Sequence, residues 1–240
     1  MNKKLVKYIN GELVEYEIRD LVDFYDPILR KPTKPIKLEE MSPSQIIFYI
    51  YSMAMMMEHY GDALGLSANQ VGWDLRICAI NLGKENVVLI NPEIIEASPP
   101  ILSYYEGCVS YPGLFLKIPR SQTIKIKFQT PSGNWQEQQF DGLTAICVQH
   151  ELDHLDGIVY TQKVSPINLE RAKRKIKTNI KKIKKFTKAQ LQNQKSLPKE
   201  QPVASAPQEP QVIQLPQIIV PEELKVNNPP ENFVYKTGNS

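Results

Sequence analysis

His150-Glu151-Leu152-Asp153-His154 closes a mostly apolar stretch, Leu143 to Gln149, that follows Asp141-Gly142. That composition predicts a buried helix. On a helix, side chains at i and i+4 stand on one face a turn apart, so both imidazoles reach a single metal ion. Glu151, next to the first histidine, falls beside such an ion as a general base. The pattern names a reaction type: attack by a metal-bound water on a carbonyl carbon.

A catalytic ion of the zinc type takes three protein ligands and keeps one open position. The chain has three histidines, His59, His150 and His154. In the longer pattern H-E-x-x-H-x-x-G-x-x-H, Gly157 is in place, but Tyr160 stands where the last histidine belongs. The third ligand is then His59, a carboxylate or a cysteine. His59 follows Met55-Met56-Met57-Glu58, at the exposed end of a predicted helix. Cys108 is the better candidate. It lies in Glu106-Gly107-Cys108-Val109-Ser110, a short polar stretch before Pro112-Gly113 that can aim a side chain into a cleft.

Three motifs now stand in order along the chain. Gly65-Leu66-Ser67-Ala68-Asn69-Gln70 is similar to G-L-A-A-x-Q, Glu106 to Ser110 is similar to E-G-C-L-S, and Gln149 to His154 fits Q-H-E-x-D-H without departure. Together they resemble the peptide deformylase family over roughly residues 20 to 165, far more specifically than H-E-x-x-H alone. A weaker likeness covers Asp26-Pro27 through Lys34-Pro35. Ala63 replaces a glycine of the family, Ser67 an alanine and Val109 a leucine. Phe115 stands where some relatives carry an arginine that helps bind the peptide backbone.

The resemblance implies an α+β fold, with mixed β-sheets wrapped around the central helix that carries H-E-x-x-H. It implies removal of the formyl group from the N-terminal methionine of new polypeptides. Cys108, His150 and His154 would hold one divalent ion, Fe²⁺ in the cell, with Zn²⁺, Ni²⁺ or Co²⁺ as replacements. Glu151 would take a proton from the attacking water and deliver it to the leaving amine. The Gln70 amide N–H and the Val109 backbone N–H would stabilise the oxyanion; the lesser alternative from the sequence alone is that Gln70 caps or braces its loop. Leu64, Gly65, Leu143, Ile146, Cys147 and the His150 ring would line an apolar pocket for the methionine side chain. Glu106 and Asp153 are spaced to orient a ligand or to form ordinary ion pairs, Glu106 with Arg120. Cys147 reads as pocket lining and Cys78 as core.

Charge divides the chain. Residues 1–165 carry 15 Lys and Arg against 20 Asp and Glu, residues 166–190 carry 10 against Glu170 alone, and residues 191–240 carry 4 against 5. An acidic body therefore bears a strongly basic appendage. Three cysteines argue for a reducing compartment rather than a disulfide framework. No apolar run approaches the ~20 residues that cross a bilayer, and the acidic start at Glu12, Glu15 and Glu17 suits neither a secretory nor a transit leader. The expectation is a cytoplasmic protein with no membrane contact.

The domain reading follows. Residues 1–165 are the catalytic domain. Within them a hairpin turns at Asn10-Gly11, a helix capped near Ser42 runs from about Gln45 to His59, and strands cover Leu75–Asn81, Val87–Asn91 and onward to Ala97. Further strands are Lys117–Ile118, Thr123–Gln129 and Trp135–Phe140. Residues 166–190 form an amphipathic helix after Ser165-Pro166, with Leu169, Ala172, Ile176, Ile180, Ile183 and Phe186 on one face and cations between. That cationic face suggests contact with the ribosome or ribosomal RNA. Residues 191–240, rich in Pro and Gln, are expected to be disordered.

Overall fold

The computed structural model describes residues 2–9, 12–61, 63–83, 86–178 and 181. Asn10-Gly11, residues 179–180, residues 182–190 and the segment 191–240 lie outside the described residues, and with them the expected turn, the end of the basic helix and the expected disordered tail. Among the described residues, strands β1 (Lys3–Ile9) and β2 (Glu12–Ile18) pair antiparallel, from Lys3 opposite Ile18 to Ile9 opposite Glu12.

Helix α1 (Pro43–His59) begins two residues before the expected start. Ser42 and Gln45 form a reciprocal cap. The Ser42 hydroxyl accepts from the Gln45 N–H at 3.3 Å, and the Gln45 side chain accepts from the Ser42 N–H at 2.8 Å. Proline at the first helical position needs no partner for a missing N–H. The methionines of this helix are core: Met53, Met56 and Met57 are fully buried with Leu66, Val71, Ile77 and Ile90.

Five strands make the main sheet, in the order β3 (Gly65–Ser67), β4 (Ile77–Asn81), β5 (Asn86–Ala97), β8 (Thr123–Gln129) and β9 (Trp135–Asp141). Between β5 and β8 the chain leaves this sheet as a separate antiparallel pair, β6 (Pro100–Cys108) and β7 (Tyr111–Ser121). Every pairing among the described residues is antiparallel. The α+β organisation is the one expected. Four strand assignments differ: β3 and β6 were not expected, β5 runs unbroken through Asn91-Pro92, and β7 is far longer than Lys117–Ile118.

Helix α2 (Gly142–Leu155) packs one face on the main sheet. Ala145, Val148, Leu152 and Leu155 meet Cys78, Ile80, Leu89, Ile126 and Phe140 in one buried cluster. Burying a side chain the size of Leu or Val contributes roughly 1.5–3 kcal/mol. Gly142 opens the helix at φ +57°, a left-handed turn that glycine adopts at least cost. Farther along, the Gln149 side chain accepts from the Ser121 N–H and donates to the Ser121 and Ala145 carbonyls, tying α2 to the end of β7. This interaction accounts for the glutamine ahead of the first histidine.

Residues 166–178 are helical and form α3. Its Leu169, Ala172 and Ile176 pack on a third cluster built from Leu29, Leu114, Leu116, Ile118 and Tyr160. Among the described residues no helix is long and apolar enough to cross a membrane.

Candidate active site

The site forms where α2, the short strand β3 and the tip of the β6–β7 pair converge. Helical spacing stacks His150 and His154 on one face of α2, their ring centroids 4.9 Å apart. Cys108 ends β6 and reaches the same point from the opposite side. Ligand atoms of Cys108, His150 and His154 all lie within 4.8 Å of one another, and Cys108 Sγ is 3.3 Å from His154 Nε2. His59, the other histidine weighed as a ligand, is exposed at the end of α1.

The donor set fits a divalent ion: a thiol and two imidazoles, converging and mostly buried. The second nitrogen of His150, Nδ1, is 3.1 Å from Glu106 Oε2, the arrangement that fixes ring orientation in histidine–metal sites. Burial opposes protonation of His150. Its contacts with Cys108 and Glu106 and the charge of Glu151 outweigh that, raising its pKa from the ordinary 6.5 to about 10. Burial and the neighbouring His150 hold His154 well below the usual histidine value, so its lone pair is available.

Glu106 is itself held from behind. Arg120, 2% exposed, grips it with two hydrogen bonds of 2.8 Å and also pairs with Asp153. Burial raises the Glu106 carboxyl pKa, and Arg120 and His150 more than reverse that. Asp153 meets Lys163 at 2.7 Å on its other oxygen. The pairing of Glu106 with Arg120 expected from the sequence is present. Asp153 joins the same network rather than standing at an isolated surface bridge.

Glu151 is 3% exposed. Burial pushes its carboxyl pKa above the ordinary value, against the pull of His150 and a hydrogen bond from Ser67. Gln70 is 1% exposed and oriented by both ends of its amide. Its oxygen accepts from the Ser67 N–H at 2.8 Å, and its nitrogen points to Ser110 Oγ at 3.1 Å and Cys108 Sγ at 3.4 Å. The amide donor therefore faces the Cys–His cluster.

These groups border a cleft of about 380 Å³. Leu64, Gly65, Gln70, Cys108, Val109, Leu143, Ile146, Cys147, His150 and Glu151 all line it, with His154 set behind them. Leu64 and Leu143 stand half exposed at the rim. Cys78 is fully buried in β4 against α2 and does not line the cleft.

The chain matches the polypeptide deformylase family model over residues 18–170. It belongs to the peptide deformylase family. The peptide deformylase of Thermotoga maritima is 40% identical over 144 residues, covering 60% of this chain and 85% of that protein. The crystal structure of the Thermotoga maritima peptide deformylase superposes with a TM-score of 0.57 at 37% identity, over 62% of this chain and 99% of that one. A peptide deformylase from Synechococcus elongatus, solved in complex with actinonin, gives a TM-score of 0.59 at 32% identity, over 65% and 85% of the two chains. The chain is thus an enzyme of the deformylase family, and the family implies a catalytic divalent metal.

Several lining residues escaped the sequence reading: Tyr104, Tyr105, Pro112 and Gly113 also wall the deformylase cleft, beside Phe115, which that reading had singled out. Tyr104 and Tyr105 sit directly before the second motif, and their adjacency to it was the available signal. Ser67 was noted only as a departure from the family, yet its hydroxyl contacts Glu151. Asn69 donates to the His154 carbonyl oxygen and so joins the first motif to the last.

Proposed function

We propose that the enzyme hydrolyses the formamide of N-formyl-methionyl peptides as they emerge during protein synthesis, releasing formate and a free amino terminus. The observation that carries this reading is the convergence on one cleft of a buried carboxylate, a buried amide donor and a Cys-His-His cluster. Cys108, His150 and His154 would hold one divalent ion, with Fe²⁺ the expected native metal and Zn²⁺, Ni²⁺ or Co²⁺ able to replace it. Bound there, such an ion makes water more acidic and polarises a carbonyl oxygen.

The chain's own residues do the rest. Glu151 accepts a proton from the water that attacks the formyl carbon and passes it to the amine nitrogen as the C–N bond breaks. A carboxyl whose pKa is raised by burial suits both halves of that transfer. The Gln70 amide and the Val109 backbone N–H stabilise the negative charge that develops on the formyl oxygen. Leu64, Gly65, Leu143, Ile146, Cys147 and the His150 ring receive the unbranched methionine side chain. Catalysis is assigned to residues 1–165, with 166–190 a basic helix and 191–240 an appended segment. Attachment of that helix to the ribosome is a separate proposal resting on its charge, and loss of co-sedimentation on deleting residues 166–240 tests it.

The deciding experiment is formate release from formyl-Met-Ala-Ser by the intact protein and by Glu151→Gln at matched metal content. Release by the intact protein alone supports the reading. Release by neither, with metal bound, moves the function to another amide.

A further inference from the structure

Beyond the cleft a second cavity of about 630 Å³ opens between β7 and α3. Tyr105, Gly113 and Phe115 line both spaces, so the two are separated by a shared wall rather than by a domain. The walls of the outer groove are cationic. Lys117 projects from β7, and Arg171 and Lys175, four residues apart on one face of α3, border it from the other side. No Asp or Glu lines it. Among the described residues none of these three cations pairs with a carboxylate. The Lys117 ammonium lies 5.2 Å from the centre of the Tyr105 ring, at the junction with the cleft. By contrast, Lys173 of the same helix is turned to Glu170.

We infer that this groove receives the downstream residues of the formylated substrate and selects acidic side chains there. The inference rests on the proposed deformylation. It commits to a peptide because the groove continues the cleft that holds the peptide's first residue, and a chain leaving that cleft over Tyr105 and Phe115 enters it. The charge sets the preference. Like charges at i and i+4 repel on a helix, and these three cations, unpaired among the described residues, together favour an anion in the groove between them. Phe115, exposed and lining both spaces, adds an apolar contact at the entrance.

The test uses the full metal-loaded chain and peptides that begin formyl-Met-Ala-Ser. An Asp-Glu pair is moved from about the fourth to about the eighth residue, each step shifting it ~3.3–3.6 Å, with Ala-Ala and Lys-Lys as controls. KM is expected to fall about threefold to tenfold for the acidic pair in one window of positions, with kcat unchanged, the size that one or two exposed charge contacts supply. The advantage should vanish in K117Q/R171Q/K175Q and shrink at high salt. That variant should still process formyl-Met-Ala-Ser at the parent rate. Anisotropy of the same peptides, labelled at the C-terminus, reads the groove without turnover. Equal KM and equal anisotropy for acidic and neutral pairs at every position would overturn the inference, as would a preference that survives the triple substitution. Failure on formyl-Met-Ala-Ser itself would instead remove the deformylation reading, while anisotropy would still decide whether the groove binds acidic peptides.

Discussion

Ser67 Oγ lies 2.7 Å from Glu151 Oε2 and 2.9 Å from the Glu151 carbonyl oxygen. Both atoms are buried, and 84 residues separate them in the chain. A single hydroxyl proton serves one acceptor at a time, so Ser67 holds the carboxylate and its own helix turn by alternate bonds. The hydroxyl thus helps to seat the carboxylate proposed above as the general base.

Ser67→Ala should lower kcat about tenfold and leave KM unchanged. A hydrogen bond to a charged group is worth ~1.5–3 kcal/mol, and only part of it orients the carboxylate. Steady-state kinetics on formyl-Met-Ala-Ser at equal metal content checks this. A shift confined to KM would mean that the hydroxyl shapes the pocket instead.

Gly65→Ala should be far more harmful. A Cβ at that position would stand 2.7 Å from Glu151 Cδ, inside contact distance, although the glycine's own backbone does not need a left-handed angle. The carboxylate must move, and loss of a positioned base removes ~10²–10⁴-fold of rate. Overpacking should also destabilise the fold by roughly 1–3 kcal/mol. Turnover together with urea denaturation separates the two effects.

Arg120→Met leaves Glu106 and Asp153 without their shared partner in a buried place. Breaking such a pair costs ~3–5 kcal/mol, visible as a lower urea midpoint. It should also lower metal content, because Glu106 orients His150. The pH dependence follows from the carboxyl. Burial alone would raise the Glu106 pKa, but Arg120 and His150 bring it below the ordinary 4.5. Its contribution is then fully present above about pH 4.5 and is lost as pH falls through the lower folded value. The intact protein should lose stability across that acid range, and Arg120→Met should lose less.

Chelation should abolish formate release and lower Tm, with both restored by Fe²⁺, Co²⁺ or Ni²⁺. A ligand bound to the folded state stabilises it by mass action. Cys108→Ser should bind the ion weakly and regain little activity after the same treatment, since it lacks a thiolate. Metal analysis, expected near one ion per chain for a mononuclear site, accompanies each assay.

The helix that carries the two histidines was legible because its signals are local: helical spacing, an apolar face and a preceding Asp-Gly. Strand β6 was not. Register shifts between Leu102 and Tyr105 and between Glu106 and Cys108 break the two-residue alternation, leaving Tyr104 and Tyr105 both exposed. In β5, Asn91-Pro92 reads as a break. Asn91 instead adopts φ +50° inside the strand, its side chain satisfying both the N–H and the carbonyl of Ile36. Strand β3 has three residues, too few for any period to register. In the site, motif residues could be named from order and spacing, whereas Ser67 against Glu151 and Phe115 beside the cleft depend on segments that meet only after folding.

Cys108 is separated from His154 by 46 positions and approaches helix α2 from the end of strand β6. A chain must close that loop, seat β6–β7 against α2 and bury Arg120 before the three donors face one another. An ion held by these three donors would then be captured only after that topology has formed. Newly made molecules should first become compact without cargo, and the interval between folding and loading sets how long the Cys108 thiol stands open to oxidants.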